Sequence, residues 1–194
     1  NEDYFNNCIW QGIPVDGYTK IFENLIQNTR IKFDTLKEYN LEADIKPKYA
    51  TIYTGPLDKL FNYKFGKLGW RSLSFKKKIV KQFDYQGNSV INYPQLKYKF
   101  TRIHEPKHLH PERNYSNKSS LIIEEYPNNN FKEPYYPIND NYNRSIHRLY
   151  KQEINKMKNF IIGGRLADYA YYDMDMTISA ALKKFDYIKK NFKN

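Results

Sequence analysis

The sequence predicts a mixed α/β fold in which strand–helix segments at both ends of the chain flank an antiparallel sheet. Three observations lead to this prediction. Apolar residues recur with helical spacing near both ends of the chain, short β-rich runs separated by polar turns fill its middle, and no helical crossover joins those runs. A chain of 194 residues is also long enough to bury a core of its own.

The first part of the chain reads as alternating helix and strand. A loop at residues 11–17 precedes a predicted helix from Thr19 to Gln27, and a short strand is predicted at Ile31–Phe33. Residues 50–54 form a further β-rich run. Gly55-Pro56 ends that run and starts a short helix with proline at or near its first turn.

The middle and the end of the chain differ in pattern. Four β-rich runs are predicted to form the antiparallel sheet: residues 70–80, 89–93, 100–104 and 119–126. Asp140–Met157 then reads as a helix, and Asn159–Ile162 as a buried strand that Gly163-Gly164 stops. The last helix is predicted at Asp173–Phe192, with Asp173 as its N-cap.

Composition narrows the class of protein. The formal net charge is +11, from 32 Lys+Arg against 21 Asp+Glu, which indicates an anionic partner or a lysine-rich solvated surface. Only seven of the basic residues are arginines, so each arginine is a candidate for phosphate recognition. The single cysteine, Cys8, and the lack of an apolar run of about 20 residues favour a soluble cytoplasmic protein. A first residue of Asn1 suggests a cut rather than a natural start.

The segment IIGGRLADYAYYDM, residues 161–174, is the first candidate site. Two glycines after a strand let backbone approach a ligand closely, Arg165 follows them, and Asp173-Met174 opens a helix whose free N–H groups favour negative charge. The same pattern also fits a plain strand–loop–helix connection in which the glycines only make the turn.

Several collinear blocks decide between these readings. GGRLADYAYYDMD, QGIPVDGYTKIFENL, YTGPLDKLFNYKFGKLGWRSL, QGNSVINY, TRIHEPKH, EEYP and EPYYPIND together resemble the UDP-galactopyranose mutase family, from Tyr4 to Leu182. The resemblance implies an isomerase that interconverts UDP-galactopyranose and UDP-galactofuranose for galactofuranose biosynthesis. In that family the N5 atom of reduced FAD attacks the anomeric carbon of the sugar and displaces UDP, the sugar ring opens and recloses, and UDP returns.

The resemblance also implies a domain plan. It assigns residues 1–66 and 139–194 to an incomplete FAD-binding, Rossmann-like domain, and residues 67–138 to an inserted antiparallel sheet on the substrate side. No G-x-G-x-x-G occurs in the sequence, although the family carries this dinucleotide fingerprint near its amino terminus. We therefore expect the chain to represent the carboxyl-terminal half of such an enzyme.

Site residues follow from matched positions. The resemblance implies that Arg102 and Tyr171 are catalytic residues that contact the substrate diphosphate. Further substrate contacts are implied for Tyr4, Arg71, Asn92, Glu125 and Tyr136, and cofactor contacts for Thr54, Gly55, Gly164, Arg165, Asp173 and Met174. An extra residue between Tyr4 and Gln11 affects the register of Tyr4, and His104 and Pro106 depart from the family pattern.

Other readings remain. His104, Glu105, His108 and His110 are not expected to hold a metal, because nothing in their spacing fixes a tetrahedron. A non-catalytic nucleotide-sugar-binding remnant would keep Arg102, Tyr136 and Tyr171. A nucleic-acid-binding module is disfavoured, since no basic-aromatic recognition motif occurs. A homodimer is left open.

Overall fold

The computed structural model describes residues 9–33, 39–41, 47–128 and 133–191, which contain helices and strands in mixed order. These residues form two compact units. The first unit contains residues 9–33 and 75–126, and the second contains residues 39–41, 47–74, 127–128 and 133–191. The predicted mixed α/β class with an antiparallel sheet is confirmed.

The first unit is built on the antiparallel sheet. Its strands are β3 (Val90–Asn92), β4 (Arg102–His104) and β5 (Ser120–Asn128), in that spatial order, and β2 (Trp70–Val80), which begins in the second unit, lies beside β5. Each strand was predicted, with ends that differ by at most two residues. In register, Arg102 of β4 lies opposite Asn92 on one side and Glu125 on the other. One row of side chains therefore crosses three strands.

Two further segments of the first unit bear on the predictions. Helix α1 (Tyr18–Ile26) forms where a helix was expected. The predicted strand at Ile31–Phe33 is wrong: these residues belong to no strand, and Phe33 is 67% exposed. A three-residue β-rich run forms a strand only when a neighbouring strand accepts its backbone hydrogen bonds, and sequence propensity does not supply that neighbour.

The second unit combines a parallel strand pair with helices. Strand β1 (Thr51–Tyr53) pairs in parallel with β7 (Phe160–Ile162), and Ile52 lies opposite Ile161. Strand β6 (Tyr136–Pro137) pairs antiparallel with Trp70 and Arg71 of β2. The helices are α2 (Leu57–Leu60), α3 (Asn141–Asn155), α4 (Gly164–Ala167) and α5 (Met174–Asn191).

The core of the second unit lies against α3. Asp140 caps this helix by accepting a hydrogen bond from the Asn143 backbone N–H at 2.8 Å. Ile146, Tyr150 and Ile154 are spaced four residues apart, so they lie on one helix face, and all three are buried. They pack with a buried cluster that also contains Leu57, Leu60, Leu68, Trp70, Ile162, Ala167 and Tyr169.

The last helix differs from this pattern. Its predicted apolar repeat is helical, but Ile178 and Leu182 are each 61% exposed. Across the part of the chain that the structure describes, none of the helices has the length and apolar character that crossing a bilayer requires.

Candidate functional site

The first candidate site lies in the second unit, where β1 and β7 end side by side. Parallel neighbours end at the same edge of a sheet, and ligands of open α/β sheets bind beyond such carboxyl ends. The Gly163 N–H extends the pairing by donating to the Tyr53 carbonyl at 3.1 Å. Gly164 has a φ of +81°, and a Cβ there would lie 3.5 Å from the Thr54 side chain. Thr54 and Gly164, both predicted cofactor residues, are therefore neighbours.

Arg165 projects from this edge into an aromatic cluster. Its Cζ atom lies 4.8 Å from the ring centroids of both Tyr136 and Tyr171. The two rings are stacked on each other, with centroids 5.6 Å apart and planes 14° apart. The guanidinium thus lies within cation–π distance of two electron-rich rings. The structure brings together residues predicted from two separate sequence blocks, one with Arg165 and Tyr171 and the other with Tyr136.

The hydrogen bonding of Arg165 is incomplete. Its Nε and Nη2 atoms are buried and have no hydrogen-bond partner among the described residues. Leaving buried N–H donors unpaired costs free energy, and most such groups in folded proteins find a partner. Two unpaired donors on a permanently charged group are therefore suited to an anionic oxygen or to the electron-rich edge of a cofactor.

Tyr169 fixes the two segments that carry the stacked tyrosines. Its hydroxyl donates to the Gly69 carbonyl at 2.5 Å and lies 3.0 Å from the Ile138 carbonyl, which directly follows β6. Its ring meets the Trp70 ring edge-on at 4.9 Å. Burial raises the pKa of the Tyr169 hydroxyl to about 12, because an ionised phenolate would be poorly solvated there. Tyr169 is therefore a neutral anchor for the aromatic cluster.

The other predicted site residues of the second unit are close to this cluster in the sequence or are paired with it across strands. Arg71 of β2 is directly opposite Tyr136, so the two side chains share one face of the strand pair. Asp173 precedes α5, and its carbonyl accepts the Thr177 N–H at 2.9 Å, as an N-cap carbonyl does. Met174, the first residue of α5, is 63% exposed. A Cβ on Gly55 would lie 2.6 Å from the Tyr53 hydroxyl, which explains the glycine in that turn.

The second candidate site is the row of side chains in the first unit. The Arg102 Nε–H donates to Asn92 Oδ1 at 3.1 Å, and its Nη1 lies 3.7 Å from Glu125 Oε2. Glu125 is 5% exposed, whereas 42% of the Arg102 side chain is exposed. The structure thus brings together Asn92, Arg102 and Glu125 as a cation beside a buried carboxylate, with part of the guanidinium open to solvent. Tyr4 lies outside the described residues.

Two residues of these clusters were not predicted as site residues. His104 contacts Glu125. The alternation of side chains along β4 could have predicted this role, because it puts His104 on the same face as Arg102. Tyr169 gave no such signal. Its φ of +50° reverses the chain after α4, and the sequence contains no glycine there to mark the turn.

A third cluster, also in the first unit, contains possible metal ligands. Asp84, Glu105 and His108 bring one ligand atom each within 4.8 Å of one another. The Glu105 carboxylate, however, already accepts hydrogen bonds from Ser120 Oγ at 2.5 Å and from the Gln86 N–H at 2.9 Å. A cation would have to displace these donors, so the cluster is better explained as an anchor for the loop before β3.

The pKa of Glu105 agrees with that role. Burial is the largest single influence and opposes ionisation. Hydrogen bonds from Ser120, Tyr85 and Gln86 together outweigh it, so the pKa of the Glu105 carboxyl lies below its usual value. The carboxylate is held in its charged form by the donors around it.

Comparison with known proteins gives one consistent family. A family model described as UDP-galactopyranose mutase matches residues 1–171. The chain is 36% identical to a probable UDP-galactopyranose mutase of Klebsiella pneumoniae in an alignment 189 positions long, which covers 96% of this chain and 48% of that protein. It is 37% identical to UDP-galactopyranose mutase of Mycoplasma genitalium in a gapped alignment 195 positions long, which covers 93% of this chain and 48% of the relative.

A further relative carries a different name. The chain is 35% identical to dTDP-fucopyranose mutase of Escherichia coli in a gapped alignment 199 positions long, which covers 98% of this chain and 52% of that protein. The chain therefore spans about half the length of the curated relatives it matches.

Proposed function

Since this chain belongs to the UDP-galactopyranose mutase family, we propose that it forms the carboxyl-terminal part of a flavin-dependent isomerase of nucleotide sugars. The proposed reaction interconverts UDP-galactopyranose and UDP-galactofuranose. The observation that carries the proposal is Arg165, a cation beside stacked Tyr136 and Tyr171 with two buried donor atoms that no described residue accepts from.

The cofactor in this proposal is FAD. The residues at the ends of β1 and β7 fit it: Gly163 and Gly164 present backbone without side chains, and Arg165 offers unpaired donors to an electron-rich group. Thr54, Gly55, Asp173 and Met174 are further proposed contacts. When bound, reduced flavin supplies the nucleophile for the anomeric carbon. In the proposed domain plan, residues 1–66 and 139–194 belong to a Rossmann-like FAD-binding domain, and residues 67–138 to the substrate side.

The tyrosines of this cluster have a second proposed role. Tyr171 is 57% exposed, so its hydroxyl can donate to an incoming phosphate while its ring remains stacked on Tyr136. Neutral hydroxyl donors add hydrogen bonds to an anion without adding negative charge near it. Tyr136 and Arg71 share a face and are proposed to act in the same way.

The row in the first unit is proposed to bind phosphate. Arg102 keeps donors free because only its Nε–H is within hydrogen-bond distance of a partner along the row, at Asn92. A planar, permanently charged guanidinium recognises a diphosphate oxygen pair better than an ammonium group does. By holding the departing diphosphate near its starting position, Arg102 would favour its return to the sugar.

The sugar nucleotide itself is open to test. The Escherichia coli relative is named for dTDP-fucopyranose, and its identity to this chain is nearly the same as that of the UDP-galactopyranose relatives. The diphosphate contacts proposed above are common to both substrates, so they do not discriminate between them. Both nucleotide sugars therefore belong in the assay.

The test reconstitutes a complete enzyme. This chain is co-expressed with the part of the Klebsiella pneumoniae relative that it does not cover, the pair is purified, and its flavin is reduced. We expect conversion of UDP-galactofuranose to UDP-galactopyranose by chromatography. Arg165→Ala should lower bound flavin, and Arg102→Ala should raise KM for the nucleotide sugar. Arg148→Ala, at an exposed position of α3, is the matched control and should change neither.

The possible outcomes separate the proposals. A pair that binds flavin and UDP but converts neither nucleotide sugar would show a non-catalytic binding protein. Unchanged flavin content in Arg165→Ala would remove that residue from the cofactor site. The 194-residue chain by itself contains no G-x-G-x-x-G and is expected to purify with little flavin; stoichiometric yellow absorbance would contradict this expectation.

A further inference from the structure

His104 lies beside the proposed phosphate-binding arginine and has no role in the function described so far. Side chains alternate along β4, so Arg102 and His104 lie on one face of the sheet, and Ile103 is buried on the other with 2% exposure. Asn92, Arg102 and Glu125 form the row across the three strands. His104 is therefore next to this row on the same face.

Glu125 is shared between the two basic side chains. Its Oε2 atom lies 3.1 Å from His104 Nε2 and 3.7 Å from Arg102 Nη1, and its Oε1 atom lies 3.3 Å from Thr101 Oγ1. An ionised carboxylate only accepts hydrogen bonds, so with Glu125 ionised the donor in this contact is His104 Nε2. His104 thus supplies the shorter of the two contacts that Oε2 makes with nitrogen.

The geometry of Arg102 shows what this sharing achieves. Arginine and a carboxylate often form two parallel hydrogen bonds, which largely neutralise the arginine. Here Nε–H is committed to Asn92, and the single approach to Glu125, at 3.7 Å, is too long for a hydrogen bond. Because 42% of the Arg102 side chain is exposed, the remaining donors are open to a ligand.

We propose that His104 is a positioning residue for anion binding: its Nε2–H holds the Glu125 carboxylate and keeps Arg102 from closing a bidentate ion pair with it. The anion is a phosphate group of a nucleoside diphosphate, and this part rests on the proposed function. Glu125 is buried and needs donors. If the histidine donor is lost, Arg102 is the nearest cation that can replace it, and each donor that turns to Glu125 is lost to the ligand.

Two measurements on the 194-residue chain test this. In the ligand-free chain, NMR of the Arg102 side chain reports the rotation rate of its guanidinium, which slows when a bidentate ion pair forms. We expect slower rotation in His104→Ala and wild-type rotation in His104→Gln, whose amide N–H can replace the histidine donor. A purely structural role for His104 would change the unfolding temperature without changing this rate.

The second measurement titrates the same variants and Arg102→Ala with UDP and follows binding by calorimetry. His104→Ala should weaken UDP binding about fivefold, the effect of roughly one hydrogen bond, and His104→Gln should restore it. His110→Ala is the matched control, because it removes a histidine–carboxylate contact, with Glu112, elsewhere in the first unit. It should leave Arg102 unchanged.

Each outcome has a defined meaning. Wild-type guanidinium rotation in His104→Ala overturns the positioning role, as does a His104→Gln variant that behaves like His104→Ala. If the alanine variant does not fold, His104→Asn, whose side chain is too short to reach Oε2, replaces it. If UDP binds equally to wild type and Arg102→Ala, or binds to neither, the phosphate contact of the proposed function is wrong, and the guanidinium rotation still decides the role of His104.

Discussion

Replacing Tyr169 by phenylalanine tests the scaffold of the aromatic cluster. The substitution keeps the buried ring and its edge-on contact with Trp70, and removes the hydroxyl contacts with the carbonyls of Gly69 and Ile138. The hydroxyl has one proton, so the two carbonyls share one hydrogen bond, and a neutral hydrogen bond contributes about 0.5–1.5 kcal/mol net. Both carbonyls keep a backbone N–H partner, from Ile138 and Asp140, so neither is left unpaired. We therefore expect a loss of about 1 kcal/mol in the free energy of unfolding.

Two other tyrosines calibrate this value. The Tyr150 hydroxyl is the partner of the Phe65 N–H at 3.0 Å and of the Gly66 carbonyl at 2.7 Å, in a fully buried position. Tyr150→Phe leaves that N–H without its hydroxyl partner and should cost about 3 kcal/mol. Tyr187, 56% exposed on α5, is the control and should cost less than about 0.5 kcal/mol. Urea unfolding followed by circular dichroism measures all three. Equal losses in the three variants would refute the hydrogen-bond argument.

The pH dependence gives an independent check. Burial raises the pKa of Tyr169 to about 12, so folding favours the neutral phenol. The stability from this shift is complete below the ordinary pKa of about 10 and is lost as pH rises through about 12, by at most about 1.4 kcal/mol per pH unit. Phenylalanine cannot ionise, so the stability difference between wild type and Tyr169→Phe should shrink from pH 10 to pH 11. A constant difference over that range would contradict a buried, neutral Tyr169.

Four further substitutions test three separate features. Gly164→Ala should lower the free energy of unfolding by about 1–2 kcal/mol, because Gly164 has a φ of +81°. Gly163→Ala should fold normally, because Gly163 has an extended φ of −167° and the side-chain atom nearest to an added Cβ is 4.0 Å away. Thermal unfolding compares the two variants. Glu105→Gln should cost about 2 kcal/mol at pH 7. Since the Glu105 pKa is lowered, that stability is complete above about pH 4.5 and is lost as pH falls through the folded-state pKa, so the variant should show a flatter acid-unfolding curve. Arg165→Met should raise the free energy of unfolding by about 1 kcal/mol, measured in urea, because it removes two buried unpaired donors.

Each of these predictions has an outcome that would contradict it. Equal stability of the two glycine variants would mean that backbone conformation at Gly164 is not the constraint. An acid-unfolding curve of Glu105→Gln that matches wild type would show that folding does not lower the pKa of Glu105. A destabilised Arg165→Met variant would mean that the two aromatic contacts are worth more than the unpaired donors cost.

Much of the fold could be predicted because its signals are local. The four-residue spacing of Ile146, Tyr150 and Ile154 defines the buried face of α3, and alternation in β5 defines the two faces of the sheet. Strand formation requires more than propensity, as the segment at residues 31–33, which belongs to no strand, shows. Pairing depends on partners distant in sequence, and a three-residue run contains no information about them.

The sites were predictable only in part, for the same reason. Alternation alone put Arg102 and His104 on one face, but the contact of His104 with Glu125 depends on the register between β4 and β5. The stacking of Tyr136 on Tyr171 depends on residues 35 positions apart in the sequence, held by the Tyr169 hydroxyl. Motif matching named most of the participants, and long-range backbone geometry determined which of them touch.

The two arginines suggest a common requirement for binding an anion. An arginine paired to a carboxylate through two hydrogen bonds is stable, but its charge is largely neutralised and two of its N–H donors are occupied. Arg102 is held instead by an amide oxygen and one distant carboxylate, and Arg165 by two aromatic rings. Aromatic rings orient a guanidinium without occupying its N–H donors, at the expense of leaving those donors buried and unpaired. Stability lost in this way is recovered when a ligand supplies the missing acceptors, so it becomes part of the binding free energy. The stabilisation expected in Arg165→Met and the loss of flavin expected in Arg165→Ala are therefore two measurements of the same property.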